Sequence, residues 1–532
     1  MAQRASKTDK KSISSLKENI AFLASDDLGG RRAGDPGEQL AAEFIAGKFN
    51  ASGLTPKGND GGYFQPFIIN DGKELAPGSY LRLGGKELRP MVDFFPISNS
   101  MSSDIAAADV SPELKENGQP WIIDLAESID QDKLHPHADL SALVSEMLSN
   151  AKLKGATAAI LYHSKSSNDF LTFDPKDRSV TTPIPAVYLR KKAAEEHLKD
   201  LSLSYRVELG FSFKPKTRTA RNVIGLIDNN APLTIVIGAH YDHLGYGEDG
   251  NSMIRGGDPA IHNGADDNAS GTAAIIELAA QLSKAKNTQY NYLFIAFSAE
   301  ELGLFGSKYF VENPTIPLGS VNYMINLDMV GRLNDSTKTI TIGGYGTSPS
   351  WQNMINTVKN KQFNIRVDSS GSGPSDHTSF YRKDIPVLFF FTGLHTDYHK
   401  PSDDAEKINY QGTLHITKFI REMILADKSS QKIAFTKTRE QQTTTSARFS
   451  VSMGIMPDYS FSGTGVRVDG VSDNKPAKKA GLLAGDIVKQ LGKYQISSVE
   501  SYMQALSTFK KGDQTAVVVS RGEKEITFEI TF

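Results

Sequence analysis

Four short stretches of this chain place histidines and carboxylates at the ends of apolar runs. TIVIGA leads into HYDHLG, which supplies His240 and Asp242. HNGADDNASGTAA follows, with Asp266 and Asp267 in a glycine-bounded turn ahead of an alanine-rich stretch. LFIAFS runs into AEELG and delivers Glu300 and Glu301, and YMINL ends at Asp328. Imidazole nitrogens and carboxylate oxygens together form a donor set suited to zinc, cobalt or manganese. An aspartate able to bridge, flanked by separate carboxylates and imidazoles, is what two ions about 3.5–4 Å apart require. The second imidazole must come from downstream, and His399 in TDYHKPSDD is the candidate. Asp242, two residues after His240, can accept the free ring N–H and fix its tautomer. A lone His-x-Asp or Glu-Glu pair is usually a solvated turn or a structural ion pair. It is the ordered succession of such motifs that argues for a site.

These groups need a scaffold that brings strand ends together. In an open α/β sheet, ligands bind beyond the carboxyl ends of the strands, and each motif leaves an apolar run of strand length. Strands are expected at 223–227 and 233–238 and in the runs before Glu300 and Asp328, with a helix over 269–282 whose small-residue start permits close backbone approach. IPVLFFFTG is the strand before the His399 loop, a helix is expected over 345–362, and GSGPSDHTSF presents Asp376 and His377. Upstream, 1–12 reads as a frayed start, and two amphipathic helices, from 13 and over 38–49, flank the loop LASDDLGGRRAGDPG. Arg31 and Arg32 in that loop are expected to buttress it through their fork of donors rather than anchor substrate.

At 532 residues the chain exceeds a single core, and length alone suggests three to four domains. A net charge of −2 gives no argument for nucleic acid or an anionic membrane. No apolar run approaches a membrane span. With no cysteines there are neither disulfides nor thiolate ligands. The first residues, MAQRASKTDKKS, are polar and charged and read as no signal segment. The expectation is an exported protein, periplasmic or secreted, with its signal removed.

At the motifs named above the sequence resembles the M28 family of co-catalytic zinc aminopeptidases, and SDDLGGRRAGDPGEQLAAEFI extends the likeness upstream. The resemblance implies a mixed-sheet α/β peptidase domain of the phosphorylase/hydrolase-like kind. It implies two Zn2+ per chain, with Co2+ or Mn2+ as substitutes. Asp267 would bridge, His240 and Asp328 would complete one site, and Glu301 and His399 the other. Asp242 would orient His240, Glu300 would be the general base, and His377 would help the ions stabilise the oxyanion. The Asp267–Asn268 peptide would be cis.

The segment 96–216, with GATAAILYHS and IPAVYL as buried strands, carries none of the metal pattern and resembles an inserted protease-associated (PA) domain. Its His135, His137 and His163 have no carboxylate motif beside them and are read as ordinary surface or core residues. The C-terminal stretch with AGLLAGDIVKQLG resembles a β-rich PDZ domain, whose carboxylate-binding loop would be Ser452, Met453, Gly454 and Ile455. Such domains add a peptide to an exposed sheet edge. The expected layout is 13–95 for the first part of the peptidase domain, 96–216 for the insert, 217–428 for the main peptidase part, 429–447 for a polar linker and 448–532 for the PDZ domain.

The expected activity is removal of N-terminal residues from peptides. The alternatives are a carboxypeptidase or dipeptidase acting on acidic peptides, a cyclase of N-terminal glutamine, and an inactive peptide-binding scaffold. The complete two-metal set argues against the cyclase, and an intact Glu300 against the scaffold. A crevice dense in carboxylates favours a substrate ammonium. A carboxypeptidase would need an arginine clamp, for which Arg255, Arg332 and Arg382 are the nearest candidates.

Overall fold

The computed structural model describes residues 6–129, 140–175, 177, 181–254, 258–285, 287–358, 362–427, 431–438, 451–457, 464–471, 475–496, 499–506 and 508–532. The chain divides into two compact units, one formed by Met1–Ile69 with Thr219–Phe532 and the other by Asn70–Arg218.

The first unit is built on a nine-stranded sheet. Its strands are β1 (Thr55–Pro56), β2 (Phe64–Leu75), β3 (Phe213–Ile227), β4 (Thr234–His240), β5 (Asn291–Phe297), β6 (Val321–Leu327), β7 (Thr339–Gly343), β8 (Asn364–Val367) and β9 (Val387–Phe391). They lie in the order β1-β3-β5-β4-β6-β9-β7-β8, with β2 also paired to β3. β4 runs parallel to β5 and to β6, and β6 parallel to β9. β3 is antiparallel to β5, and β7 to β9, so the sheet is mixed. The four central strands are apolar on both faces, as strands covered on both sides must be.

Alternation along a strand sorts its side chains between two cores. Ile235, Ile237 and Ala239 of β4 join the larger core, whereas Val236 joins the core on the opposite face. The larger core is covered by α1 (Lys7–Leu23), α2 (Pro36–Ala51), α3 (Gly271–Leu282), α5 (Trp351–Thr357) and α7 (Tyr410–Ala426). The opposite face is covered by α4 (Phe305–Glu312) and α6 (His377–Tyr381). The expected helix over 345–362 is instead a single 3-10 turn and the short α5.

α1 begins earlier than expected, at Lys7. Ser6 caps it by accepting the Asp9 N–H at 3.1 Å. Ser12 donates to Glu277 of α3 at 2.5 Å, and Lys418 of α7 pairs with Asp9. Of the expected frayed start, residues 6–12 are therefore fixed by polar contacts that helical periodicity does not register, and 1–5 lie outside the described residues.

The second unit holds two four-stranded sheets. One is antiparallel, with Tyr80–Leu83 and Ser103–Val110 on either side of Tyr205–Phe211. The other pairs Trp121–Asp124, Ala159–Tyr162 and Ala186–Leu189 in parallel. The insert was expected from 96, but the unit begins at Asn70. The reason is pairing at long range: Tyr80–Leu83 finds its partner in Tyr205–Phe211, more than a hundred residues later. His163 is buried and packs at a tilt against Phe170, while His135 and His137 lie outside the described residues.

The expected linker over 429–447 is corrected for 431–438. Ile433 N–H donates to Asn322 Oδ1 and Thr436 N–H to the Thr347 carbonyl, both at 2.8 Å. Phe435 packs its ring 5.6 Å from that of Tyr381, and Thr438 exchanges hydrogen bonds with Tyr381 and Gly371. The rest of that stretch lies outside the described residues. The C-terminal region has a six-stranded sheet with its own core, which includes Met453, Val488, Leu491, Val517 and Val519.

Candidate metal centre

Because β4, β5, β6 and β9 are mutually parallel, their carboxyl ends share one edge of the sheet. His240 is the last residue of β4, Glu300 and Glu301 follow β5, Asp328 follows β6, and His399 lies on the loop after β9. Asp267 sits in the turn Ala265–Ser270 that opens α3, and the Asp267–Asn268 peptide is cis. Gly264, just before that turn, has φ +55; a Cβ there would lie 2.2 Å from the Asp267 carbonyl and 2.5 Å from the His243 ring. Only glycine admits this approach. Ala299, Met329 and His399 also hold left-handed backbone next to or at the site. Such conformations cost about 1–3 kcal/mol each and persist only where surrounding contacts impose them.

The ring nitrogens and carboxylates converge in two groups that share one residue. His240 Nε2 lies 3.3 Å from Asp267 Oδ1 and 3.3 Å from Asp328 Oδ1. His399 Nε2 lies 3.3 Å from Asp267 Oδ2 and 3.2 Å from Glu301 Oε2. Asp267 thus turns one oxygen to each ring. Donors bound at about 2.0–2.1 Å around a tetrahedral zinc ion stand about 3.3 Å apart, the spacing seen in both groups. The donor chemistry and the spacing fit a pair of ions. The coordinates also group His243 with Asp267 and Glu301.

Each imidazole is held by a partner behind it. His240 Nδ1 lies 3.2 Å from the Asp242 carbonyl and 3.8 Å from its carboxylate. The orienting acceptor is therefore the Asp242 backbone, which corrects the expected carboxylate contact. The carboxylate instead accepts the N–H groups of Glu300 at 3.1 Å and Glu301 at 3.4 Å. His399 Nδ1 donates to the Asn251 carbonyl at 2.9 Å, and His243 Nδ1 donates to Glu301 Oε1 at 2.8 Å. Asn251 and His243 went unnoticed in the sequence. The second histidine of HYDH was the available signal for His243; nothing marked Asn251.

Carboxylates outnumber imidazoles here, and the charges show it. Burial would lower the pKa of His240, but Asp328 and Glu300 outweigh it and hold the ring well above its usual range. Burial likewise opposes the charge on His399, and Glu301 and Asp267 override it. Glu300 lines the crevice but touches neither ring. Burial, then Asp376 and Asp328, raise its pKa well above that of an ordinary glutamate.

Two expected participants are placed elsewhere. The His377 ring lies flat on Phe389, 4.5 Å between centroids, and it is Phe389 that lines the crevice. Burial pushes the His377 pKa down to about 3, so the ring is neutral. The ring thus packs behind the crevice wall and is not among the residues that line the crevice. Arg332 pairs with Asp397 at 2.9 Å and is committed there. Arg31 is wholly buried, and its guanidinium donates to the carbonyls of Leu23, Tyr241, Asn263 and Gly264. It ties the N-terminal loop to both ligand-bearing turns. Arg32 grips Asp249 with two hydrogen bonds.

Besides the polar groups, the crevice is lined by Met329, Phe389, Phe391, Leu394 and Tyr398. An apolar hollow thus adjoins the acidic one.

An α/β sheet with imidazole and carboxylate groups sharing one aspartate at its strand ends is a candidate metal-site domain. Residues 222–424 match the model of peptidase family M28, and residues 424–532 that of the PDZ domain, so the chain carries an M28 peptidase domain followed by a PDZ domain. Aminopeptidase YwaD of Bacillus subtilis is 28% identical over 279 residues, covering 50% of this chain and 55% of that protein. Leupeptin-inactivating enzyme 1 of Streptomyces exfoliatus is 34% identical over 171 residues, 30% of this chain and 37% of the relative. An aminopeptidase of Pseudomonas aeruginosa is 24% identical over 416 residues, 74% of this chain and 72% of that one. The chain spans about half the length of the first of these and less of the second. Among solved structures, BSAP, a zinc aminopeptidase from Bacillus subtilis, aligns over 79% of this chain and 98% of its own at 22% identity, with a TM-score of 0.44. At that score the likeness adds nothing to the topology described above.

Proposed function

We propose that this protein is a metal-dependent aminopeptidase that removes N-terminal residues from peptides using two zinc ions. His240, Asp267 and Asp328 would hold one ion, and Asp267, Glu301 and His399 the other. The observation that carries this reading is Asp267, with one carboxylate oxygen facing each ring while Glu300 stands beside both groups and contacts neither ring. When bound, such ions supply Lewis acidity and a water acidic enough to ionise near neutrality. Glu300, held on the backbone by the Asp242 carboxylate, takes the proton from the attacking water and returns it to the leaving amine. Its raised pKa suits both halves of that transfer.

The acidic lining supports recognition of a terminal ammonium. Arg332, one candidate carboxylate clamp, is already paired with Asp397, while Arg255 lies outside the described residues. The apolar wall from Met329 to Tyr398 supports a bulky apolar first residue. In the PDZ domain, the Ser452–Ile455 loop would receive a peptide carboxylate. Met453 and Ile455 are buried there, Gly454 takes positive φ, and the Met453 carbonyl accepts the Ala477 N–H. Export to the periplasm or beyond goes with this reading and is tested by fractionation; among the described residues no helix is long and apolar enough to cross a membrane.

The deciding experiment is digestion of a peptide library by zinc-loaded and chelator-treated protein, with free amino acids read by mass. Sequential, chelator-sensitive loss of N-terminal residues is the expected result. Release from the C terminus, or zinc-independent release, would refute the proposal.

A further inference from the structure

Asp266, His395 and Asp403 form a second buried polar cluster beside the ligands, and the reaction outlined above uses none of them. Asp266 and Asp403 are fully buried, and His395 is 11% exposed at its side chain. Asp266 Oδ1 accepts the Gly331 N–H at 2.6 Å and the Ser270 hydroxyl at 2.9 Å. It therefore grips the segment that follows Asp328. Asp403 Oδ2 accepts the N–H groups of Asp266 at 2.9 Å and Asp267 at 3.0 Å. It therefore ties the His399 loop to the turn of the shared aspartate. Each carboxylate has one oxygen left, and both of these face His395 Nε2, at 3.2 Å from Asp266 and 4.0 Å from Asp403. None of these three atoms has a hydrogen-bond partner, so the ring meets the two oxygens as a close electrostatic contact and not through a formed hydrogen bond. On the far side of the ring, Nδ1 accepts the Asp397 N–H at 3.3 Å, which leaves the proton on Nε2.

We propose that His395 is a positioning residue for the metal centre. Its Nε2–H faces the free oxygens of Asp266 and Asp403 and screens them from each other, and the three segments that carry Asp328, Asp267 and His399 are thereby held at one register. The inference rests on the two-ion reading of the site. Metal ligands tolerate placement errors of about 0.2 Å, and the three segments are far apart in sequence. Without the ring's N–H between them, the free oxygens of two buried carboxylates would face each other uncompensated, and one of the two loops would give way. Residues that orient ligands from behind are typically worth about 10–100-fold in metal affinity.

The test compares wild type, His395→Gln and His395→Leu as full chains. Each is equilibrated against buffers of graded free zinc; bound zinc is counted by elemental mass spectrometry, and kcat and KM are measured on a leucine anilide. His395→Leu is expected to need about 10–100-fold more free zinc for half occupancy. His395→Gln, whose amide N–H can stand in for Nε2–H, should stay within a few-fold of wild type. At saturating zinc the Leu variant should regain its KM, because substrate contacts are untouched. Should His395→Leu yield no folded protein, the near-isosteric Asp403→Asn carries the same prediction and the same refutation. Zinc occupancy in the Leu variant equal to wild type overturns the inference while leaving the two-ion reading intact. So does a third zinc in wild type that His395→Leu removes, which would make the cluster a cation site. A wild type that binds no zinc removes the reading itself and this inference with it.

Discussion

Glu300 and Glu301 are neighbours in sequence with opposite environments. Burial alone would raise the pKa of Glu301, but the His399 charge and the hydrogen bonds from His243 and His399 bring it down to about 2. Glu300 lacks those partners and is raised. Glu300→Gln should keep both zinc ions and lower turnover by about 10²–10⁴-fold, the usual range for a lost general base; loss of metal on elemental analysis would make Glu300 a ligand instead. The base must be ionised to act, so a raised pKa means that activity is lost on acidification at a higher pH than an ordinary glutamate would give. Asp376 is buried near Glu300 and adds to that rise. Asp376→Asn should therefore move the acid limb of kcat/KM to lower pH, and an unmoved limb would assign it to another group. Asp267→Ala should lose both ions, whereas His399→Ala should mainly weaken one, as native mass spectrometry can count.

His240 ends β4 and the other candidate ligands sit on loops or turns, but strands aim them all. Parallel β4, β5, β6 and β9 bring four loops to one edge, and this much was legible: each apolar run ended in its ligand, and His240, Asp267, Glu301, Asp328 and His399 all stood out in the sequence. What escaped were contacts between loops. His243, Asn251 and His395 act through partners 58, 148 and 129 residues away along the chain, and no periodicity encodes a hydrogen bond across such a gap. His377 looks functional because it stands beside an Asp, while its stacking on Phe389 depends on how the turn between α6 and β9 folds the strand back, which residue pattern does not give. The packed segment 431–438 was hidden in the same way, by its polar composition. It sets where the chain can be cut. A protein ending at 438 should fold and cleave short peptides. One ending at 428 loses the burial of Ile433 and Phe435, worth about 3–5 kcal/mol together as an upper estimate, and should unfold at a lower temperature in calorimetry. Equal melting of the two would show that the segment contributes nothing.

At the scale of the whole molecule, the question is which end of a peptide the crevice accepts. N-terminal acetylation should abolish cleavage and C-terminal amidation should not, and leucine or phenylalanine should outrun aspartate as first residue when digestion is followed by mass. Arg332→Ala should leave that pattern unchanged, because its guanidinium is held by Asp397; C-terminal cleavage of an acetylated peptide, abolished by this substitution, would reverse the assignment. The buried guanidinium of Arg31 bears on how the chain is made. Its acceptors at Tyr241, Asn263 and Gly264 lie 210, 232 and 233 residues further on. A ribosome adding about 5–20 residues per second needs roughly 10–50 s to reach them. Throughout that interval the whole of Asn70–Arg218 emerges and can fold on its own, while the first helices wait with their apolar faces uncovered. Chaperone dependence during synthesis is then expected to concentrate on the helices that precede Asn70 rather than on the inserted unit.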